Sequence, residues 1–192
     1  MKSLLTKVVA PFVVAGSLFF AQPQKVEAEN RSNVNFSLGG FLFSDKELSE
    51  YYAGLFGGGV GIDVKLNGDY FRWGADISAF SKNVNKGNIE SNVNLFQYSS
   101  TIQIISKNDM GMIYGEFGPV YVQVHVDATD GKENVDGNVD AAGFIGKVGG
   151  EFPWKNSKNA TFFELSYCSA LNGNLQLGGT SLSLGAKYYL GD

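Results

Sequence analysis

"GGGVGIDVKLNGDYFRWGADISAF", Gly57 to Phe80, places an apolar residue at nearly every second position on both sides of the turn Asn67-Gly68-Asp69. Val60, Ile62, Val64 and Leu66 share one face before the turn, and Phe71, Trp73, Ala75, Ile77 and Ala79 share one after it. Such alternation predicts two paired β-strands. The other face carries Gly59, Gly61, Asp63 and Lys65, then Arg72, Gly74 and Asp76. Glycine weakens a strand that faces water and gains nothing there. Glycines interleaved with opposed charges therefore call for an enclosed setting.

Working outward, the same alternation recurs in six further runs. Val34, Phe36, Leu38 and Leu42 precede the quoted pair. Phe96, Tyr98, Ile102 and Ile104 follow it. The next run changes phase: Ile113 and Phe117 share one face, and Val120, Val122, Val124 and Val126 the other. A β-bulge near Gly118-Pro119 is the expected reconciliation, since a proline inside a strand needs such a place. Three runs complete the set: Ala142, Phe144, Val148, Phe152 and Trp154; Phe163, Leu165 and Tyr167; Thr180 to Leu190. Eight strands is an even count. Short turns, "NGD", "KNDM" and "KNSKN", alternate with the longer "SDKELSEYYA", "KNVNKGNIESN" and "ATDGKENVDGN", which are expected to be loops. This predicts an all-β, eight-stranded antiparallel up-and-down transmembrane β-barrel with short turns at one end.

The polar phase collects Asp63, Lys65, Arg72, Asp76, Glu116, Lys147, Glu151, Glu164 and Lys187, the place of Glu116 depending on the bulge. Five acids face four bases. An eight-stranded barrel is just wide enough for side chains to fill it, and buried charges must be paired. The expectation is a lumen plugged by a charge network, with glycines making room for side chains that cross it. The apolar phase then faces lipid. Phe71, Trp73, Phe152, Trp154 and Tyr188 are expected in an interfacial girdle at the short-turn end.

Residues 1–28 read differently. Lys2 and Lys7 precede an apolar run, Val8 to Ala21, and a Val-Glu-Ala site that predicts cleavage after Ala28, leaving 29–192 as the barrel domain. Loss of Lys2, Lys7, Lys25 and Glu27 takes the formal charge from −4 to −6. An acidic chain with no basic run argues against nucleic acid as a partner. The single cysteine, Cys168, excludes an internal disulfide and is expected to be an interior filler.

The pattern from Val34 to Leu190 resembles the bacterial outer-membrane β-barrel family of the small OmpA-like and opacity-protein-like type. Its most specific piece is the last run, where Ser183, Gly185, Tyr188 and Leu190 look like a barrel-assembly signal. The family's signal usually ends the chain on an aromatic; here Leu190 is followed by Gly191 and Asp192. The resemblance implies residence in the outer membrane of a Gram-negative-type bacterium. It also implies contact with lipid and lipopolysaccharide, passage through barrel-assembly machinery, and monomeric barrels whose loops reach extracellular ligands.

Chemistry beyond architecture is sparse. The only histidine, His125 in "VYVQVHVDA", falls on the polar phase, where it is expected to be a hydrogen-bonder of the lumen or rim. Lipid A deacylase barrels carry a His-x-Ser motif, whereas this triplet is His125-Val126-Asp127. The acidic stretch Asp127, Asp130, Glu133, Asp136 and Asp140 does not have EF-hand spacing and reads as a solvated loop. No enzyme, cofactor or metal is expected. The function that follows is structural or surface-interactive. The alternatives are a narrow small-solute pore and a secreted lipocalin-like carrier with its apolar face turned inward.

Overall fold

A computed structural model describes residues 31–108, 111–154, 157–173 and 175–190; the expected leader, residues 1–28, lies outside them. The strands are β1 Asn33–Phe43, β2 Leu55–Lys65, β3 Phe71–Lys86, β4 Ile89–Asn108, β5 Gly111–Thr129, β6 Asn134–Pro153, β7 Asn159–Asn172, the two-residue β8 Leu175–Gln176, and β9 Gly179–Tyr189. Each long strand pairs antiparallel with the next, and β9 pairs with both β7 and β1, closing an eight-stranded barrel. Closure leaves no open edge within the ring, so the strands satisfy their backbone groups from one another rather than from water.

Outward-facing residues define an apolar band. On β3 it runs from Phe71 through Trp73 and Ile77 to Ala79, close to the 9–11 residues a tilted strand needs to cross a bilayer. Phe36, Leu38, Ile102, Phe117, Phe144 and Leu165 continue it around the barrel, each between 46% and 64% exposed. Apolar side chains in such number on the outside, around a charged interior, make this a transmembrane barrel. Trp73, Trp154 and Tyr188 lie at the short-turn end of the band, as expected for a girdle. The two indoles donate within the sheet surface, Trp73 Nε1 to Ser100 Oγ and Trp154 Nε1 to Thr161 Oγ1, both at 2.9 Å.

Two sequence expectations fail here. The bulge at Gly118-Pro119 is absent: the β5–β6 register is continuous from Met112↔Glu151 to Thr129↔Asn134, and the β4–β5 register is the same on both sides of the proline. The longer connections between β3 and β4 and between β5 and β6 are also not loops. Their residues extend the strands, so that β4, β5 and β6 reach 20, 19 and 20 residues. Only Gly87 and Asn88 separate β3 from β4, with Gly87 at φ 64°. Asp130 shapes the other turn by accepting from the amides of Lys132 and Glu133 at 2.8 Å. Those donors, Glu133's first, hold its carboxyl below the usual aspartate range.

One physical change explains both departures. Beyond the band the strands leave lipid for water, and the apolar phase inverts without a register shift. On β5 the outward series passes from Phe117 and Tyr121 to Gln123, His125 and Asp127, while Val120, Val122 and Val124 are buried inside. On β4 Phe96 and Tyr98 give way to Asn94 and Asn92 outside, with Leu95 and Val93 inside. The inward side chains pack with Phe41, Leu55, Phe80, Ile145, Ala170 and Leu177 into an apolar plug at the long-hairpin end.

A short helix, α1 Lys46–Tyr52, sits over that plug in what the sequence reads as the first loop. Asp45 caps it, accepting from Glu47 N at 2.9 Å and Leu48 N at 3.1 Å. Tyr52 is turned into the apolar cluster, and its hydroxyl lies 3.1 Å from Ser91 Oγ.

Candidate functional site

Below the apolar plug the lumen becomes polar. Two charge clusters occupy it, one above the other. In the lower, Glu151 Oε1 accepts from Arg72 Nη1 and from Lys187 Nζ, each at 2.7 Å, and Glu151 Oε2 accepts from the Tyr189 hydroxyl at 2.6 Å. Lys187 also donates to Asp63 at 2.8 Å. Arg72 and Glu151 are fully buried, and Asp63 and Lys187 nearly so. Two cations and two carboxylates make this cluster neutral.

In the upper cluster one ammonium serves three carboxylates. Lys147 Nζ lies 2.7 Å from Asp76, 3.3 Å from Glu116 and 3.7 Å from Glu164. Thr101 donates to Glu116 at 2.8 Å, and the Tyr114 hydroxyl to Glu164 at 3.1 Å. Gln103 ties the clusters together: its carbonyl accepts from Arg72 at 3.2 Å and its amide donates to Glu116 at 2.6 Å. The network thus crosses between residues of β2, β3, β4, β5, β6, β7 and β9. Removing ions from water costs several kcal/mol each, which such partners offset.

Apolar side chains flank the polar belt on both sides. The apolar plug lies above it, and Ile105, Met112, Ala160 and the rings of Tyr114 and Tyr189 lie at the short-turn side. The space left among the polar groups is a small cavity of about 30 Å³, room for a few water molecules at most. Glycines permit this filling at close approach. A Cβ at Gly149 would run into the Tyr114 ring, and one at Gly185 into the ring of Phe162.

Of the nine charged residues assigned to the lumen from sequence, Asp63, Arg72, Asp76, Glu116, Lys147, Glu151, Glu164 and Lys187 come together there. Lys65 does not. It stands at the short-turn rim with its side chain 41% exposed, 3.1 Å from Asp69 in the turn. Its hydrogen bond, then its charge, keeps Asp69 below the usual aspartate range. Strand phase aims Lys65 inward, but it lies beyond the last enclosed layer. Glu116 reaches the network without a bulge. Sequence reading passed over Thr101, Gln103, Tyr114 and Tyr189, although Gln103, Tyr114 and Tyr189 each share a phase with a charged neighbour two residues away or across the hairpin. Ser183 and Gly185 line the lumen side of β9, whereas Tyr188 and Leu190 face outward, 50% and 47% exposed. Cys168 is buried, accepting from Gln97 Nε2 at 3.2 Å.

His125 departs furthest from expectation. It faces outward, above the apolar band, because the phase it shares with Phe117 and Tyr121 is the outer one. Its Nε2 lies 3.3 Å from Asp127 and its Nδ1 3.6 Å from Asp136 on β6.

A closed eight-stranded sheet, apolar outside and filled with paired charge inside, defines a filled transmembrane β-barrel. Among solved structures the fold is similar to that of Ail, the attachment invasion locus protein of Yersinia pestis, with a TM-score of 0.56 and 11% identity over 84% of this chain and 99% of that one. It is similar also to OprG from Pseudomonas aeruginosa, with a TM-score of 0.56 and 11% identity over 86% and 98%. Neisserial surface protein A gives 0.55 and 10% over 83% and 96%. At these identities the likeness is one of fold: this chain has the architecture of small eight-stranded outer-membrane barrels. No protein-family model matches the chain, and no curated protein matches it.

Proposed function

We propose that this chain works in the outer membrane of a Gram-negative-type bacterium as a closed structural and surface-interaction barrel, neither a pore nor an enzyme. The filled lumen carries this reading. A conducting path would have to displace the apolar plug, break the Arg72–Glu151–Lys187 and Lys147 clusters, and widen a cavity of about 30 Å³. The fold of the solved outer-membrane barrels supports the location. Both termini then lie on the periplasmic side, with the short turns, and the long β3–β6 hairpins stand outside the cell.

Those hairpins supply the interaction surface. Their outward faces are rich in asparagine and acid: Asn83, Asn85, Glu90, Asn92, Asp127, Asn134 and Asp136 line a groove of about 550 Å³. One Ail structure is in complex with the heparin analogue sucrose octasulfate. The carboxylates of this groove favour instead a neutral or cationic partner, or lipopolysaccharide approached through its sugars.

The test has two parts. Protein from washed outer membranes should migrate faster unboiled than boiled in SDS, as a detergent-resistant closed barrel does. Reconstituted into planar bilayers, it should give no stable open level. Recovery as a soluble protein with one mobility would refute the location, and a reproducible conductance would refute the plug.

A further inference from the structure

We infer that the outer face of the β5–β6 hairpin binds a divalent transition-metal ion of the zinc class through His125, Asp127 and Asp136. Three observations converge. One imidazole nitrogen and one carboxylate oxygen from each aspartate lie within 4.8 Å of one another, a spacing that small rotations of exposed side chains close onto one ion at about 2.0–2.2 Å. Asp127 and Asp136 are directly opposed in the β5–β6 register, and like charges set opposite each other destabilise a strand pair. Among the described residues neither aspartate has an ion pair with a lysine or arginine, and the outward positions flanking them on β4 and β6 are Asn92, Asn94 and Asn138.

The donor set chooses the class of ion. A nitrogen donor with two carboxylates suits zinc and its neighbours, whereas calcium takes six to eight oxygens and gains little from imidazole. Three protein donors leave coordination positions for water or for an oxygen of another molecule. The ion would staple the two strands of the hairpin where they stand in water, beyond the lipid band, without touching the lumen.

Because His125 is the only histidine of the chain, the test reads one imidazole. The tag-free, full-length barrel, folded in detergent micelles and stripped with chelator, is titrated with Zn²⁺ by calorimetry. Its single histidine ring is followed by NMR in parallel. The expected result is one Zn²⁺ per chain with the imidazole resonances shifted. His125→Asn and the double variant Asp127→Asn/Asp136→Asn should each weaken binding at least about tenfold. Asp127 and Asp136 are exposed and His125 is half-buried on the outer face, so both variants should keep the heat-dependent gel shift of a folded barrel. Failure of the wild-type chain to bind Zn²⁺ would overturn the inference and leave His125 as a hydrogen-bonding neighbour of the two carboxylates. Undiminished binding by His125→Asn, or equal competition by Ca²⁺, would overturn it as well. None of these outcomes bears on whether the lumen is plugged.

Discussion

Replacing Glu151 by glutamine keeps the shape of the lower lumen cluster and removes one charge. Glu151 is wholly buried and accepts from Arg72, Lys187 and Tyr189 at 2.6–2.7 Å. The glutamine carbonyl can still accept from Arg72 and Lys187, but those bonds keep only the charge of the donor and lose that of the acceptor, a loss of roughly 1 kcal/mol each. Two buried cations then share one carboxylate, Asp63, which is 2.8 Å from Lys187 but 4.0 Å from Arg72. Uncompensated buried charge brings the expected loss to about 3–5 kcal/mol. Urea unfolding from lipid vesicles, followed by tryptophan fluorescence and by the gel shift, measures it. Arg72→Met in the same background restores a neutral Lys187–Asp63 pair, so the double variant should be less destabilised than the sum of the two single ones. If Glu151→Gln costs under about 1 kcal/mol and the two changes simply add, the lower cluster is hydrated and the filled lumen is wrong.

Leu95→Ala, at a fully buried position of the apolar plug, should cost about 2–5 kcal/mol in the same assay and still give no conductance, because the polar belt below is intact. An open level in that variant alone would mean that the plug by itself seals the barrel. Gly149→Ala forces a Cβ against the Tyr114 ring and the Phe163 carbonyl and should cost about 1–3 kcal/mol; wild-type stability would show that both the ring and the neighbouring strand have room to move. The carboxyl carbon of Asp130 should titrate below the ordinary aspartate value of about 3.9, because the Glu133 and Lys132 amides favour the charged form. Its contribution to the outer turn is therefore present above that ordinary value and lost as pH falls through the lower, folded-state midpoint. An NMR midpoint at or above 3.9 would contradict the turn geometry.

Period-two alternation was enough to show eight strands, their order around the barrel and, with the glycines and mixed charges, the polar interior. A strand has only two faces, so residues such as Asp63, Arg72 and Lys187 declare their side as soon as their neighbours Ile62, Trp73 and Tyr188 declare the other. Alternation encodes the face and says nothing about height along the barrel. Height decided the rest. Lys65 shares the face of Asp63 yet lies one step past the enclosed layer, and so it pairs with Asp69 in the turn. Val120, Val122 and Val124 mimic a change of phase that a bulge would explain. The continuous register instead carries them inside, while His125 and Asp127 face out, because the surroundings of the outer wall change from lipid to water at that level. Which carboxylate meets which cation was likewise unreadable: Glu151 and Arg72 stand 79 residues apart, and only barrel closure, which sets strand register all round the ring, brings them to 2.7 Å.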